Sequence, residues 1–192
     1  MNTTDVVQKY REKVKNAISK REKELLSDNI DHFLIYSLLG ISEPQSIQID
    51  LYQNIGRIVY KNAGALIEDT VRQWFPFSQK IKIPNNISPN PKTFEIDCLV
   101  DNTAIEIKWR DSTTDGDHIQ KEKNRLTSIA LHGYKPVRLM FFEPNRENAK
   151  KIQRKLKELY LSHNGEYYSG KEAWDYVKRE TGRDLYKELI SQ

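Results

Sequence analysis

Around residue 94 the apolar spacing of this chain changes from steps of three and four to steps of two, and that change constrains its fold more than any other feature. Phe94–Val100 and Thr103–Trp109 alternate on either side of Asp101-Asn102, residue types that tolerate the positive φ of a two-residue hairpin turn. In that register Val100 faces Thr103, Cys98 faces Ile105 and Ile96 faces Ile107. One sheet face then carries Ile96, Cys98, Val100, Ile105, Ile107 and Trp109. The other pairs Asp97 with Glu106 and Glu95 with Lys108. Counting outward from the turn, Asp97 and Glu106 fall on a non-hydrogen-bonded pair, where side chains approach most closely. Two like charges placed this way destabilise a sheet unless something compensates them. A hard divalent cation such as Mg²⁺ would do so, since it takes oxygen ligands and commonly binds one or two carboxylates with water and phosphate. Lys108 points to the same face and would stand beside the ion. An exposed sheet face of Glu, Asp and Lys would show similar residues. Three features favour the site: the acids are opposed rather than offset, Ile105 and Ile107 suggest a buried strand, and a helical acid, Glu68, precedes the hairpin.

The flanking sequence predicts helices. Thr4 can cap a first helix whose apolar positions are Val6, Val7, Tyr10, Val14, Ala17, Ile18, Leu25 and Leu26. A second short helix, about residues 31–39, stops at Gly40. A third runs from about residue 46 to 75 and ends at Pro76. Gly64 lies inside it at a cost of roughly 1 kcal/mol against Ala, which suggests a close neighbour or a site. The proline-rich stretch 76–93 reads as a loop with a short strand at Lys80–Ile83. After the hairpin, Asp117 caps a helix with Gln120 at the capping-box position, and Gly133 ends it. The strand Val137–Phe142 follows, then a helix opened by Asn145, then two short helices starting at Ser169 with Glu172 and at Thr181 with Asp184. The helical crossover makes the strands on either side of it parallel. The expected class is α/β (α+β), a mixed central β-sheet flanked by helices. Residues 1–45 form a helical N-terminal extension, 46–165 the core and 166–192 a C-terminal helical unit.

Composition narrows the chemistry. A single cysteine, Cys98, excludes an internal disulfide, and four scattered histidines lack the spacing of a metal finger. Cys98 alternates with the apolar face and reads as core. The formal charge of +4, from 31 Lys and Arg against 27 Asp and Glu, permits a nucleic-acid partner without requiring one. The N-terminus has no apolar signal region and no run approaches a membrane span, so a cytoplasmic protein with no membrane partner is expected.

The spacing Asp97, eight residues, Glu106-Ile107-Lys108 resembles the PD-(D/E)XK nuclease motif. Ala63-Gly64-Ala65-Leu66-Ile67-Glu68 resembles the helical acid that often completes it. The chain is similar to type II restriction endonucleases. The stretch from Glu106 to His118, with Gly133-Tyr134-Lys135-Pro136, looks closest to the ApaLI-like group. The resemblance covers roughly residues 60 to 160. It departs from the pattern at Ile96, where proline is often found. It implies a restriction-endonuclease-like fold and a metal-dependent phosphodiesterase. Asp97 and Glu106 would hold Mg²⁺ with the Ile107 carbonyl as a further ligand, and Lys108 would position or activate the attacking water. Glu68 would orient water or help with a second metal; it is equally an ordinary helix glutamate. The implied activity is sequence-specific hydrolysis of double-stranded DNA. A homodimer would match a palindromic site, with the N-terminal helices as candidate dimer contacts. A structure-specific nuclease, of junction-resolvase or repair type, would keep the same residues. A non-catalytic DNA-binding or interaction module would have no physical need for the opposed carboxylates.

Candidate DNA-binding residues follow from position. Arg110 leaves the catalytic strand, where it can meet phosphate or guanine or pair with Asp111. Gln120, Lys121 and Lys123 lie in the first turns of the following helix, near its positive end. Asn85, Asn86 and Lys92 lie in the proline-rich loop, where Asn reads bases or makes turns. The basic runs from Lys9 to Lys23 and from Lys150 to Lys157 read as solvated faces, with phosphate contact as the sharper alternative.

Overall fold

The computed structural model describes residues 2–110 and 117–192, the side chain of Asp117 excepted. It divides into two compact units, residues 2–66 and 67–192.

The first unit is helical. Its elements are α1 (Thr3–Leu26), α2 (Phe33–Leu38) and the greater part of α3 (Glu43–Trp74). Asn2 rather than Thr4 caps α1. Its Oδ1 accepts from the Asp5 amide at 2.8 Å, while Asp5 Oδ2 accepts from the Asn2 amide at 3.0 Å. That reciprocal box satisfies two orphan amides, which a single Thr4 hydroxyl does not. Val6, Val7 and Tyr10 of the expected apolar face are buried and Val14, Ala17, Ile18 and Leu25 half-buried, but Leu26 at the end of α1 is exposed. Arg21 Nε donates to Asn54 Oδ1 at 3.0 Å, and Tyr36 Oη donates to Asp50 Oδ1 at 3.0 Å, so α1 and α2 are each tied to α3 by a polar link.

The second unit begins with the last turns of α3. Its division from the first therefore falls inside that helix rather than ahead of it. A five-stranded sheet follows, with β1 (Gln79–Pro84), β2 (Thr93–Val100), β3 (Thr103–Arg110), β4 (Lys135–Phe142) and β5 (Glu166–Ser169) in spatial order 1-2-3-4-5. The first three strands are antiparallel, and β3–β4 and β4–β5 are parallel. Between them lie α4 (Asp117–Leu131) and α5 (Glu147–Ser162), and the chain closes with α6 (Lys171–Thr181) and α7 (Leu185–Ile190). The hairpin has the expected register, Cys98 with Ile105 and Val100 with Thr103, and Asp101 takes φ 48° at the turn.

Each sheet face is covered by helices. Val71 and Trp74 of α3 and Tyr176 and Val177 of α6 pack on Cys98, Ile105, Ile107, Leu139 and Phe141. Leu126 and Ile129 of α4 and Ile152, Leu156 and Tyr160 of α5 pack on Phe94, Ile96, Ala104 and Met140. This is the mixed α+β sheet that the element order predicts. Among the described residues no helix is long and apolar enough to cross a membrane.

Some local expectations are corrected. The C-terminal segment is not wholly helical, because Glu166–Ser169 adds a parallel strand beside β4. Four residues are too few for alternation to stand out from the following helix. Ser169 does not start α6: its hydroxyl donates to Glu143 Oε1 at 2.7 Å, and Gly170 is the N-cap. Arg146, not Asn145, precedes α5. Asp184 caps α7 by accepting from the Lys187 amide, while the Thr181 hydroxyl bonds back to the Val177 carbonyl within α6.

One correction bears on the site. Ile96 belongs to the α4/α5 face, not to the face of Cys98 and Ile105. In the β1–β2 ladder Gln79 pairs with Leu99 but Ile81 pairs with Ile96. Two residues of β2, Asp97 and Cys98, therefore stand opposite Lys80 alone. An extra residue of this kind interrupts strict alternation and re-aims side chains. It inverts the strand between Ile96 and Cys98, with Asp97 at the inversion.

Candidate active site

Asp97 and Glu106 lie side by side beneath the helices, each only 6% exposed. The β2–β3 pairing runs from Val100/Thr103 to Cys98/Ile105. Beyond it, the side chain of Asp97 replaces a backbone acceptor: its Oδ2 takes the Ile107 amide hydrogen at 2.9 Å. The amide and carbonyl of one strand residue leave on the same side, so the Ile107 carbonyl faces the same β2 edge. Lys108, two residues past Glu106 and on the same strand face, brings Nζ to 2.5 Å from Glu106 Oε1 and 4.0 Å from Asp97 Oδ2. The expected Glu95–Lys108 pair does not form. The inversion in β2 turns Glu95 to Lys80 instead, at 2.8 Å. Lys80 Nζ also lies 3.5 Å from Glu68 Oε2, so Glu68 is drawn to the β1 side of the same cluster. Arg72, one turn along α3 from Glu68, donates to the Asp97 carbonyl at 3.4 Å.

Electrostatics separates the two central acids. Burial, and then the Glu106 charge, push the Asp97 carboxyl up to about 8. Burial also pushes Glu106 up, but the Arg125 and Lys108 charges outweigh it and hold Glu106 well below the usual carboxylate range. Burial would lower Lys108, yet Glu106 and Asp97 keep it above its ordinary value, so it is a protonated donor. Glu68 is raised by burial, against the charges of Lys108 and Lys80. One ionised acid, one acid that readily keeps its proton and one partly exposed ammonium thus lie together.

A second set of buried charges lies beyond what the hairpin pattern predicts. Arg125 on α4 donates to Glu106 Oε2 and, at 2.9 Å, to the Glu95 carbonyl. Behind it Glu122 lies 3.7 Å from Arg125 and 3.4 Å from Arg138, and accepts from Tyr160 Oη at 2.6 Å. The sequence does carry a signal for it. Glu122 recurs with Ile119, Leu126 and Ile129 on the apolar stripe of α4, and Arg138 interrupts the apolar run VRLMFF. Charges at core positions are normally paired.

The expected DNA contacts are dispersed. Gln120, Lys121 and Lys123 are on the exposed side of α4, and Gln120 Nε2 donates to Asn124 Oδ1 at 3.0 Å. Arg110 is exposed at the end of β3; Asp111 and the cap of α4 by the Asp117 side chain lie outside what is described. Asn85 makes turn bonds: Oδ1 accepts from the Ile87 and Ser88 amides, and Nδ2 donates to the Pro91 carbonyl at 2.7 Å. Asn86 and Lys92 are exposed beside it.

The donor set suits a hard cation. It offers buried carboxylate oxygens with an adjacent carbonyl, and the acid pair carries a repulsion that a divalent ion would relieve. Among the described residues no group of three or more His, Cys, Asp and Glu is arranged to hold a metal. Most positions around an ion at Asp97 and Glu106 would therefore fall to water or phosphate, the usual arrangement for Mg²⁺. Neither a curated protein nor a solved structure matches the chain. The family model of the ApaLI-like restriction endonucleases does match, over residues 1–192, and the chain belongs to that family.

Proposed function

We propose that the chain is a type II restriction endonuclease of the PD-(D/E)XK kind, which hydrolyses phosphodiester bonds of double-stranded DNA at a specific sequence with Mg²⁺ and acts as a homodimer. The observation that carries this reading is the burial of Asp97 against Glu106 with Lys108 Nζ 2.5 Å from Glu106 and 4.0 Å from Asp97. Glu106 already has Arg125 and Lys108 as partners, whereas the buried Asp97 carboxyl meets Lys108 only at 4.0 Å, so an added cation would complete the charge balance of the acid pair.

Asp97 and Glu106 would hold Mg²⁺, with the Ile107 carbonyl beside them. When bound, the ion supplies charge neutralisation for the phosphate and leaving oxygens and a water of lowered pKa. Lys108 acts as a donor. It orients the attacking water and stabilises negative charge growing on the phosphoryl oxygens, a role for which its raised pKa suits it better than proton abstraction. Glu68 can accept a hydrogen bond from water on the β1 side. Lys121, Lys123, Arg110 and Lys92 are exposed cations that would position the phosphate backbone. A dimer would set two such sites on opposite strands of a palindrome.

Plasmid DNA incubated with the protein and Mg²⁺ tests this. Discrete fragments from wild type, none without metal, and at least about a 100-fold loss for Lys108→Ala are expected from the usual weight of a charge-stabilising donor. Cleavage only of branched DNA would favour the structure-specific nuclease. Unchanged cleavage by both Asp97→Ala and Lys108→Ala would refute the assignment of the site.

A further inference from the structure

We infer that Arg125 is a positioning residue of the metal site: its guanidinium fixes one oxygen of Glu106 so that the other is presented toward Asp97 and Lys108. The inference rests on the metal-dependent reading above and assigns to α4 a part in it.

The two oxygens of Glu106 have different partners. Oε2 is held by Arg125, and Oε1 lies 2.5 Å from Lys108 Nζ. A carboxylate can rotate about its last bond and can bind a cation through one oxygen or two. The Arg125 contact removes that freedom, because the same terminal nitrogen also donates to the Glu95 carbonyl at 2.9 Å. Glu95 lies two residues before Asp97 on β2, so Arg125 links the Glu106 carboxylate directly to the strand that carries the other acid. The position of Oε1 relative to Asp97 is then set by α4 as well as by the hairpin.

Arg125 is itself held. Its side chain is 10% exposed, and its other terminal nitrogen lies 3.7 Å from Glu122 Oε2. Glu122 in turn meets Arg138, which is fully buried on β4, and Tyr160 on α5. Arg138 of β4 and Tyr160 of α5 thus converge on Glu122, which in turn backs the guanidinium that touches Glu106. Glu122 is already met by Arg138 at 3.4 Å and by Tyr160 at 2.6 Å, so its own pairing does not require Arg125. The additional bonds from the same guanidinium to a carboxylate of the acid pair and to the β2 backbone need a further reason. Supporting groups of this kind hold metal ligands in their binding orientation, and their loss typically costs about 10- to 100-fold in metal affinity or activity.

The test is metal binding without DNA. Mn²⁺ is titrated into the whole protein and free Mn²⁺ is followed by its paramagnetic resonance signal, for wild type, Glu106→Ala, Arg125→Gln and Arg125→Lys. Arg125→Gln should weaken Mn²⁺ binding about 10- to 100-fold. Arg125→Lys keeps the charge but not the planar fork whose two terminal nitrogens face Glu106 and Glu122, and should restore only part of it. The Mg²⁺ concentration for half-maximal DNA cleavage should rise in step, while DNA affinity in the absence of metal stays unchanged. Arg125→Gln leaves Glu122 with one cation fewer and can lose the fold. Tyr160→Phe then decides, because it removes only the hydroxyl that steadies Glu122 and should weaken Mn²⁺ binding by a smaller factor in the same direction. Folded Arg125→Gln with wild-type Mn²⁺ affinity, or, where that variant does not fold, Tyr160→Phe with wild-type affinity, overturns the inference. Absence of Mn²⁺ binding by wild type overturns instead the metal-dependent reading on which it rests.

Discussion

Asp97 should lose a proton that the folded protein prefers to keep, and Asp97→Asn exposes this. The carboxyl titrates at 3.8 in water and at about 8 in the fold, through burial first and the neighbouring Glu106 charge second. A raised folded value means that the native state binds the proton more tightly than the unfolded chain. The associated stability is complete below about 3.8 and is lost as pH rises through about 8. Between pH 5 and pH 8 the linkage integral gives a loss on the order of 3 kcal/mol for this one group. That is a large fraction of the roughly 5–15 kcal/mol of a typical domain. Asp97→Asn is a permanent mimic of the protonated acid. Its carbonyl oxygen can still accept the Ile107 amide, so it should fold. Its melting temperature relative to wild type should climb between pH 5 and pH 8 by roughly 6–12 °C, at about 2–4 °C per kcal/mol for a chain of this size. Thermal scans in metal-free buffer at four pH values suffice. Adding Mg²⁺ should stabilise wild type more at pH 8 than at pH 6, because binding must displace the proton, and should do little for Asp97→Asn. Parallel pH profiles for the two proteins would show that Asp97 is already ionised in the fold, and the account of a mutually repelling acid pair would fail.

Three further outcomes are expected. Leu156→Ala, at a fully buried position on α5, should cost about 2–5 kcal/mol in denaturant unfolding with an unchanged slope. Asp101→Val should cost about 1–3 kcal/mol, since a β-branched residue resists φ 48°, whereas Asp101→Gly should be near neutral in the same measurement. Lys121→Ala with Lys123→Ala should weaken DNA binding uniformly across sequences. The slope of log affinity against log salt should become shallower by about 1 for each phosphate no longer neutralised, measured by fluorescence anisotropy at several salt concentrations.

The hairpin is legible because its register follows from a turn type and a period of two. Counting from Asp101-Asn102 brings Asp97, Glu106 and Lys108 together, and so does the structure. What counting does not give is the extra residue in β2. Nothing in Ile96-Asp97-Cys98 marks an inversion, which arises from pairing with β1, a strand more than ten residues away behind a proline-rich loop. For that reason strict alternation puts Ile96 on the wrong face and sets Glu95 against Lys108 rather than Lys80. The Arg125–Glu122–Arg138 cluster is hidden for a different reason. Its members are far apart in the chain, and each alone reads as a solvated charge. Only their positions on apolar stripes set them apart. The helical capping residues show a third limit, since Asn2 and Thr4, or Asp184 and Thr181, are chemically equivalent caps until the backbone selects one.

The inversion in β2 means that the acid pair is set by two separate rulers. Glu106 and Lys108 are placed by counting from the hairpin turn, whereas Asp97 sits where the count from β1 and the count from β3 disagree by one. A one-residue insertion or deletion in the 85–91 loop can be absorbed by that loop, because β1 and β2 pair beyond it. The same change at Asp101-Asn102 slides Glu106 and Lys108 past Asp97 and turns one of the partners to the opposite side of the sheet. Homologous chains that keep this site should therefore vary freely in the length of the loop before β2 and keep the length of the turn after it.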